Sequence, residues 1–184
     1  MKIHDTSLNG LKRVVLSRHA DQRGTFTRWF CDRELREVLG GRHIVQANHS
    51  CTRRSGAVRG LHYQSPPHAE TKLIRCIRGR VFDVAVDLRK ASTTYLEWYS
   101  CELSGDDQDM LIIPEGFAHG FQALEADSEL LYLHTAHYAP ESEKGLRFDD
   151  PALTIPWPMP PIDLSERDAG HPLITESFVG LSGN

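Results

Sequence analysis

Short runs of branched and aromatic residues recur along the chain, each closed by Gly, Pro, Asp or Ser. Such runs predict many short β-strands. They fall at Leu11–Leu16, Thr25–Phe30, Ile44–Ser50, Ala57–Gln64, Lys72–Ile77, Val81–Asp87, Tyr95–Leu103, Met110–Ile113, Ala118–Leu124 and Glu129–Ala136. The clearest alternation puts Val81, Asp83, Ala85 and Asp87 on one face and Phe82, Val84, Val86 and Leu88 on the other, a half-buried strand. Arg78-Gly79-Arg80 before it reads as a tight turn. One helix is predicted over Asp32–Leu39, with Asp32 as its cap, Leu35, Val38 and Leu39 as its apolar stripe, and Gly40-Gly41 as its stop. Pro151, Pro156, Pro158, Pro160, Pro161 and Pro172 crowd the last stretch, which is expected to wrap the surface rather than add many strands. Many antiparallel strands without βα alternation predict an all-β sandwich or jelly roll with few helices. The sheet edges of such folds need covering, and a dimer is one way to do it.

Composition narrows the function classes. The 184 residues fit one domain with a real core, residues 1–184, its final segment lying over the barrel. Apolar residues make up 40% and charged residues 25%, which is ordinary for a globular chain and argues against disorder. A formal charge of −4 with interleaved signs does not suggest nucleic-acid binding. No apolar run reaches the length of a membrane span, and the opening MKIHDTSLNG has no secretory h-region. Cys31, Cys51, Cys76 and Cys101 form no C-x-x-C pair and read as reduced thiols of a cytoplasmic protein. Ten histidines make a metal site worth testing.

Three stretches could carry chemistry. In Arg59-Gly60-Leu61-His62-Tyr63-Gln64, strand alternation sends Gly60, His62 and Gln64 one way and Arg59, Leu61 and Tyr63 the other. A strand histidine alone is more often a satisfied polar residue than a functional one. Pro114-x-Gly116-x-x-His119 looks like the second half of a cupin metal signature, but the first half is missing: Gln64 follows His62, and Glu70 is off the usual spacing. Two plausible ligands are too few for a metal. In Leu131-Tyr132-Leu133-His134, Tyr132 and His134 share a face. Leu164-Ser165-Glu166-Arg167-Asp168 would be a solvated loop unless Asp168 returns to a barrel histidine.

Taken in order, these stretches resemble the dTDP-4-dehydrorhamnose 3,5-epimerase (RmlC-like) family. The shared motifs run Asp21-x-Arg23-Gly24-x-Phe26, Gln46-x-Asn48-x-Ser50, Arg59-Gly60-Leu61-His62, Lys72-Leu73, Asp83-Val84-x-Val86-Asp87-x-Arg89, Ser92-x-Thr94-Tyr95, Ile113-Pro114-x-Gly116-Phe117-Ala118-His119-Gly120-Phe121, Tyr132, Tyr138-x-Pro140, Glu143 and Leu164-Ser165-x-Arg167-Asp168. The resemblance implies a cupin jelly roll, a strand-exchanged homodimer, a nucleotide-diphosphate 4-keto-6-deoxyhexose substrate, and no metal or other cofactor. It implies that His62 is the general base, Asp168 its orienter, Tyr132 the acid on the opposite face and Lys72 the enolate stabiliser. Arg23, Gln46, Asn48, Arg59, His119, Glu143 and Arg167 fall on nucleotide-sugar contact positions, Tyr138 on the position that stacks the base, and Arg23 would reach the partner's site. Phe26 and Arg28 belong to the same substrate-binding stretch, and Arg28 stands where the family usually carries a glutamate that helps hold the base. Leu133 replaces a frequent lysine, and His137-Tyr138 a Tyr-Tyr pair. The nucleotide base, and whether C3, C5 or both are inverted, stay open.

Two other functions compete. A metal-dependent cupin oxygenase or isomerase would use His62 and His119, with His134 as a candidate third ligand. A non-catalytic sugar-binding cupin would keep the pocket and not the chemistry, against which stands the presence of both His62 and Tyr132.

Overall fold

The computed structural model describes residues 1–107 and 109–182. The first half of the chain runs β1 (Lys2–Asp5), β2 (Lys12–Val15), β3 (Arg18–Asp21), β4 (Gly24–Thr27), α1 (Asp32–Leu39), β5 (Gln46–Thr52), β6 (Val58–Gln64) and β7 (Lys72–Arg78). It continues through β8 (Arg80–Asp87), β9 (Trp98–Ser104), β10 (Asp109–Ile113), β11 (Phe117–Ala123), β12 (Ser128–His134), β13 (Glu143–Gly145) and α2 (Glu166–Ala169). A six-stranded sheet is ordered β1-β2-β10-β7-β12-β5, and a five-stranded sheet β13-β6-β11-β8-β9. Strands β3 and β4 form a separate two-stranded hairpin. The pairings within these sheets are antiparallel. This is an all-β sandwich, as the strand pattern predicts, and of the cupin type that the resemblance implies.

Side-chain alternation builds three apolar layers. Between the sheets, Ile74, Cys76 and Leu130 from the larger sheet meet Val81, Ala85, Phe117 and Phe121 from the smaller one. On the outer face of the larger sheet, Leu73, Met110 and Ile112 pack under Leu35 and Leu39 of α1. On the outer face of the smaller sheet, Val84, Val86 and Leu61 lie under Leu153, Ile155, Trp157, Ile174 and Phe178 of the proline-rich segment. That segment therefore supplies a hydrophobic layer, and among the described residues its β-type pairing is limited to the isolated bridges Ala57–Ile162 and Arg89–Leu181. Trp98 donates to the Leu153 carbonyl at 2.7 Å and Tyr95 to the Phe178 carbonyl at 3.1 Å, so the layer is also pinned by hydrogen bonds.

Several expectations need correction. The Val81–Asp87 alternation is right, but the strand is not half-buried: the tail covers its outer face, and Asp83 and Asp87 are wholly buried inside. Asp87 survives there because Arg89, Ser92 and Thr94 all donate to it at 2.6–2.8 Å. Burial pushes its pKa up, yet these donors hold it below the usual carboxylate value. Helix α1 has the predicted span, but Cys31 is its N-cap and no side chain caps it; Asp32 instead sits in the first turn and pairs with Arg36 at 3.3 Å. The predicted strand at Thr25–Phe30 shortens to β4, because its exposed partner β3 carries no apolar signal. The strand expected from Tyr95 starts only at Trp98, after the turns that bind Asp87.

The sheet positions its site residues through one close approach. Strand β6 carries an extra residue against β11: His119 faces His62, and Phe121 faces Arg59. At this bulge a Cβ on Gly60, whose φ is +117°, would lie 2.6 Å from Gly120 Cα, and a Cβ on Gly120 would lie 2.7 Å from the Arg59 carbonyl. Only glycines allow this crossing. The extra residue also breaks strict alternation, so Arg59 and His62 both line the same cavity instead of facing apart.

If the tail is a structural layer, truncating Leu153, which is 2% exposed, should cost about 2–5 kcal/mol. Urea unfolding of Leu153→Ala should show that loss. A loss near the ~0.5 kcal/mol typical of surface substitutions would mean the tail is only draped on the sheet.

Candidate active site

A cavity of about 1000 Å³ opens between the two sheets. One wall comes from β5, β7 and β12 of the larger sheet, the other from β6 and β11 of the smaller, and residues 163–168 close one side. The inward positions of β5 and β12 follow the period of two: Asn48 and Ser50 face His134 and Tyr132.

His62 stands on β6. Its Nε2 meets Asp168 Oδ1 at 2.7 Å, while the other Asp168 oxygen accepts from the Gly60 N–H at 3.3 Å. Asp168 is held in place by α2, where its own N–H donates to the Ser165 side chain at 3.0 Å. Burial raises the Asp168 pKa, but the His62 contact outweighs it and keeps the carboxyl below its usual value. A charged carboxylate accepts from Nε2–H, which leaves the imidazole lone pair on Nδ1. The loop-like charges around Asp168 do return to a barrel histidine. Beyond them, His171 packs edge-on against His62 with ring centroids 5.7 Å apart, a neighbour for which the sequence offers only the residue type.

Tyr132 stands on β12, in the opposite sheet. Its hydroxyl lies 3.2 Å from Ser50 Oγ, and burial pushes its pKa well above that of a free phenol. Lys72 on β7 reaches the His62 carbonyl at 3.3 Å and Glu70 at 3.3 Å. Glu70 also accepts from His134 Nδ1 at 2.8 Å, while His134 Nε2 lies 3.3 Å from the Asn48 amide. Burial pushes the Glu70 carboxyl up, but His134 and Lys72 together keep it below the ordinary range. His119 Nε2 pairs with the buried Asp83 at 2.9 Å. The sequence assigns no site role to Asp83, Glu70 or Ser50: Asp83 and Ser50 stand there only as motif positions, and Glu70 only as a metal ligand off the usual spacing.

The other predicted residues divide into two groups. Gln46, Asn48, Arg59, His119, Tyr138, Glu143 and Arg167 all line the cavity. Arg59 is aimed by Thr52 at 3.1 Å, Arg167 pairs with Glu143 at 2.5 Å, Tyr138 donates its hydroxyl to Glu143 at 2.6 Å, and Gln46 accepts from the Tyr138 N–H at 3.0 Å. Arg23, Phe26 and Arg28 do not line this cavity. They sit on or beside the β3–β4 hairpin, with Arg23 and Phe26 exposed by 91% and 66%; Arg23 pairs with Asp21 and Arg28 with Glu34.

Among the described residues, His62, His119 and His134 do not come together as one group of ligand atoms; each pairs instead with a different carboxylate. The cavity presents two ionisable side chains, His62 and Tyr132, from facing walls, with Lys72 also in its lining and ion pairs around them. Such an arrangement suits proton removal from one face of a ligand and proton delivery to the other.

Known proteins share this fold. A family model described as dTDP-4-dehydrorhamnose 3,5-epimerase matches residues 5–176. The dTDP-4-dehydrorhamnose 3,5-epimerase of Sinorhizobium fredii is 42% identical over 177 residues, covering 96% of this chain and 91% of its own. A solved structure of the Legionella pneumophila dTDP-6-deoxy-D-glucose-3,5-epimerase RmlC, in complex with dTDP-4-keto-L-rhamnose, superposes with a TM-score of 0.92 at 37% identity over 100% of this chain and 98% of that one. The Streptomyces bikiniensis 3'-monoepimerase ChmJ, in complex with dTDP-quinovose, superposes with a TM-score of 0.86 at 32% identity, covering 92% and 86% of the two chains. On the fold, the motif order and this similarity together, the chain belongs to the dTDP-4-dehydrorhamnose 3,5-epimerase family.

Proposed function

We propose that the protein epimerises a nucleotide-diphosphate 4-keto-6-deoxyhexose at C3, C5 or both, in deoxysugar biosynthesis. The observation that carries this reading is the placement of His62 and Tyr132 on opposite sheets of one cavity. Inversion at carbon requires a base on one face of the ring and an acid on the other.

His62 Nδ1 takes the proton from a carbon beside the C4 ketone, and the C–H electrons become the enolate double bond. Charge collects on the ketone oxygen, where the Lys72 ammonium stabilises it. Tyr132 then gives its phenolic proton to the other face of the same carbon and recovers one from solvent. Asp168 holds the base in one tautomer and stabilises the imidazolium. Arg59 and Arg167 suit the diphosphate, because guanidinium binds phosphate oxygens in a fork. The base stacks on the exposed Tyr138 ring. Every step is a proton transfer, so no electron carrier is needed.

The hairpin residues complete the site in a second copy. Arg23 and Phe26 are presented to solvent on a ribbon that pairs with neither sheet, which supports exchange of this ribbon between two protomers of a homodimer. Arg28 would then meet the nucleotide base with a cation, so the accepted base is set by that arginine's donors.

Four outcomes test the reading. In D2O with a dTDP- or CDP-linked 4-keto-6-deoxyglucose, NMR should show solvent deuterium at C3, C5 or both; none at either carbon with any nucleotide would sink it. Asp168→Asn should lower kcat by about 10²–10⁴-fold with KM little changed, as loss of an orienting carboxylate does. Because burial keeps Tyr132 protonated, the tyrosinate absorbance of wild type and Tyr132→Phe should not differ up to about pH 10, the ordinary tyrosine value; an earlier difference would contradict the phenol's role as acid. Arg23→Ala and His62→Ala proteins should each be impaired alone and regain exchange when mixed and refolded together, since one hybrid site unites an intact hairpin with an intact cavity. Failure to complement would argue that each chain uses its own hairpin.

A further inference from the structure

His171 has no part in the reaction above, yet it is placed with care. Its side chain is only 12% exposed, and its Nε2 is buried with no hydrogen-bond partner. That is a costly state for a ring nitrogen. The imidazole lies over Gly145, where a Cβ would overlap the ring, and Gly145 is the register partner of His62 on the neighbouring strand. The orphaned Nε2 is 3.8 Å from Asp168 Oδ1, which is itself 2.7 Å from His62 Nε2. Ligand atoms of all three residues fall within 4.8 Å of one another.

We propose that His62, Asp168 and His171 form a site for a d-block divalent cation of the zinc type, and that its occupancy switches the base off. Two imidazoles and one carboxylate are a borderline donor set that zinc takes with a fourth, open position for water. Zinc bonds of about 2.0–2.2 Å put tetrahedral ligand atoms roughly 3.4 Å apart, so rotations that move these atoms by about 1–1.5 Å close the site. His62 borders the cavity with 29% of its side chain exposed, which gives a cation a way in and water a place to sit. The nearby cations do not oppose it: Lys72 is paired with Glu70, and Arg167 with Glu143.

The consequence rests on the reading of His62 as the base. A neutral imidazole has one lone pair and one N–H. With Asp168 accepting from Nε2–H, the lone pair is on Nδ1 and can take the substrate proton. With the cation on Nε2, the ring proton resides on Nδ1 and no lone pair remains there. The proton moves within the ring, and none is gained or lost. The same carboxylate that orients the base becomes a ligand, and the two states exclude each other.

The test uses the full chain, purified without a histidine tag and stripped with EDTA. Cobalt(II) titration reads binding through the visible bands of the four-coordinate ion, independently of turnover. Deuterium exchange on the sugar nucleotide, with rising zinc, reads the switch. Wild type should show the bands, lose exchange with zinc and recover it with EDTA. His171→Ala and His171→Phe, the second keeping the ring's volume, should retain metal-free exchange, lose the bands and need at least about tenfold more zinc for the same inhibition. Absence of bands in wild type, or equal bands and equal zinc sensitivity in wild type and both variants, overturns the site. Cobalt binding that leaves a measurable exchange rate unchanged overturns the switch. If no sugar nucleotide exchanges at all, the proposed function fails, while the cobalt arm still decides whether the site exists.

Discussion

The carboxylate of Asp168 joins the outer layer of the protein to its reactive centre. One oxygen holds His62, and the other takes the N–H of Gly60, at the point where β6 and β11 cross most closely. The tail can deliver that carboxylate only because its apolar residues are seated on the outer face of the five-stranded sheet. The glycine crossing, in turn, supplies the bulge that brings Arg59 and His62 to the same side. Orientation of the base, closure of the barrel and docking of the tail are therefore one packing problem, and a fault in any of them reaches the imidazole.

The same economy governs the cavity walls. His119 has Asp83, His134 and Lys72 share Glu70, and Arg167 has Glu143. These groups are fixed by carboxylates, and Arg59 by Thr52, before a ligand arrives, so in the proposed mechanism little reorganisation remains to be done when charge develops on an enolate. In the proposed mechanism, acid and base are separated by environment. Tyr132 is buried among apolar and aromatic groups that favour its neutral form, while Asp168 keeps its charge because His62 and backbone donors face it.

Much of this was legible in the sequence. The period of two placed Tyr132 with His134, and Asp83 with Ala85, on shared faces without saying which face is inward, and the order of short motifs located His62, Lys72, Tyr132 and Asp168. What escaped has a physical reason in each case. The bulge at Gly60 reversed the side assigned to Arg59, since alternation counts residues and cannot see an extra one. Strands β1 and β3 are exposed along their length and so lack an apolar beat. The outer face of β8 read as half solvent-facing because the layer covering it comes from a proline-rich stretch far along the chain. His171 and Glu70 sit close in sequence to Asp168 and Lys72, but their other contacts, with His62 and His134, come from distant parts of the chain.

One feature of the architecture reaches beyond the residues named in the site. His62 and Tyr132 belong to different sheets, and sheets in a sandwich stand about 10 Å apart because of the side chains packed between them. Ile74, Leu130 and Phe121 fill that interval. The core thus acts as the gauge that sets how thick a ring can lie between base and acid. Changing its volume retunes which carbon meets which group, so substrate preference in this scaffold can drift through substitutions that never touch the sugar.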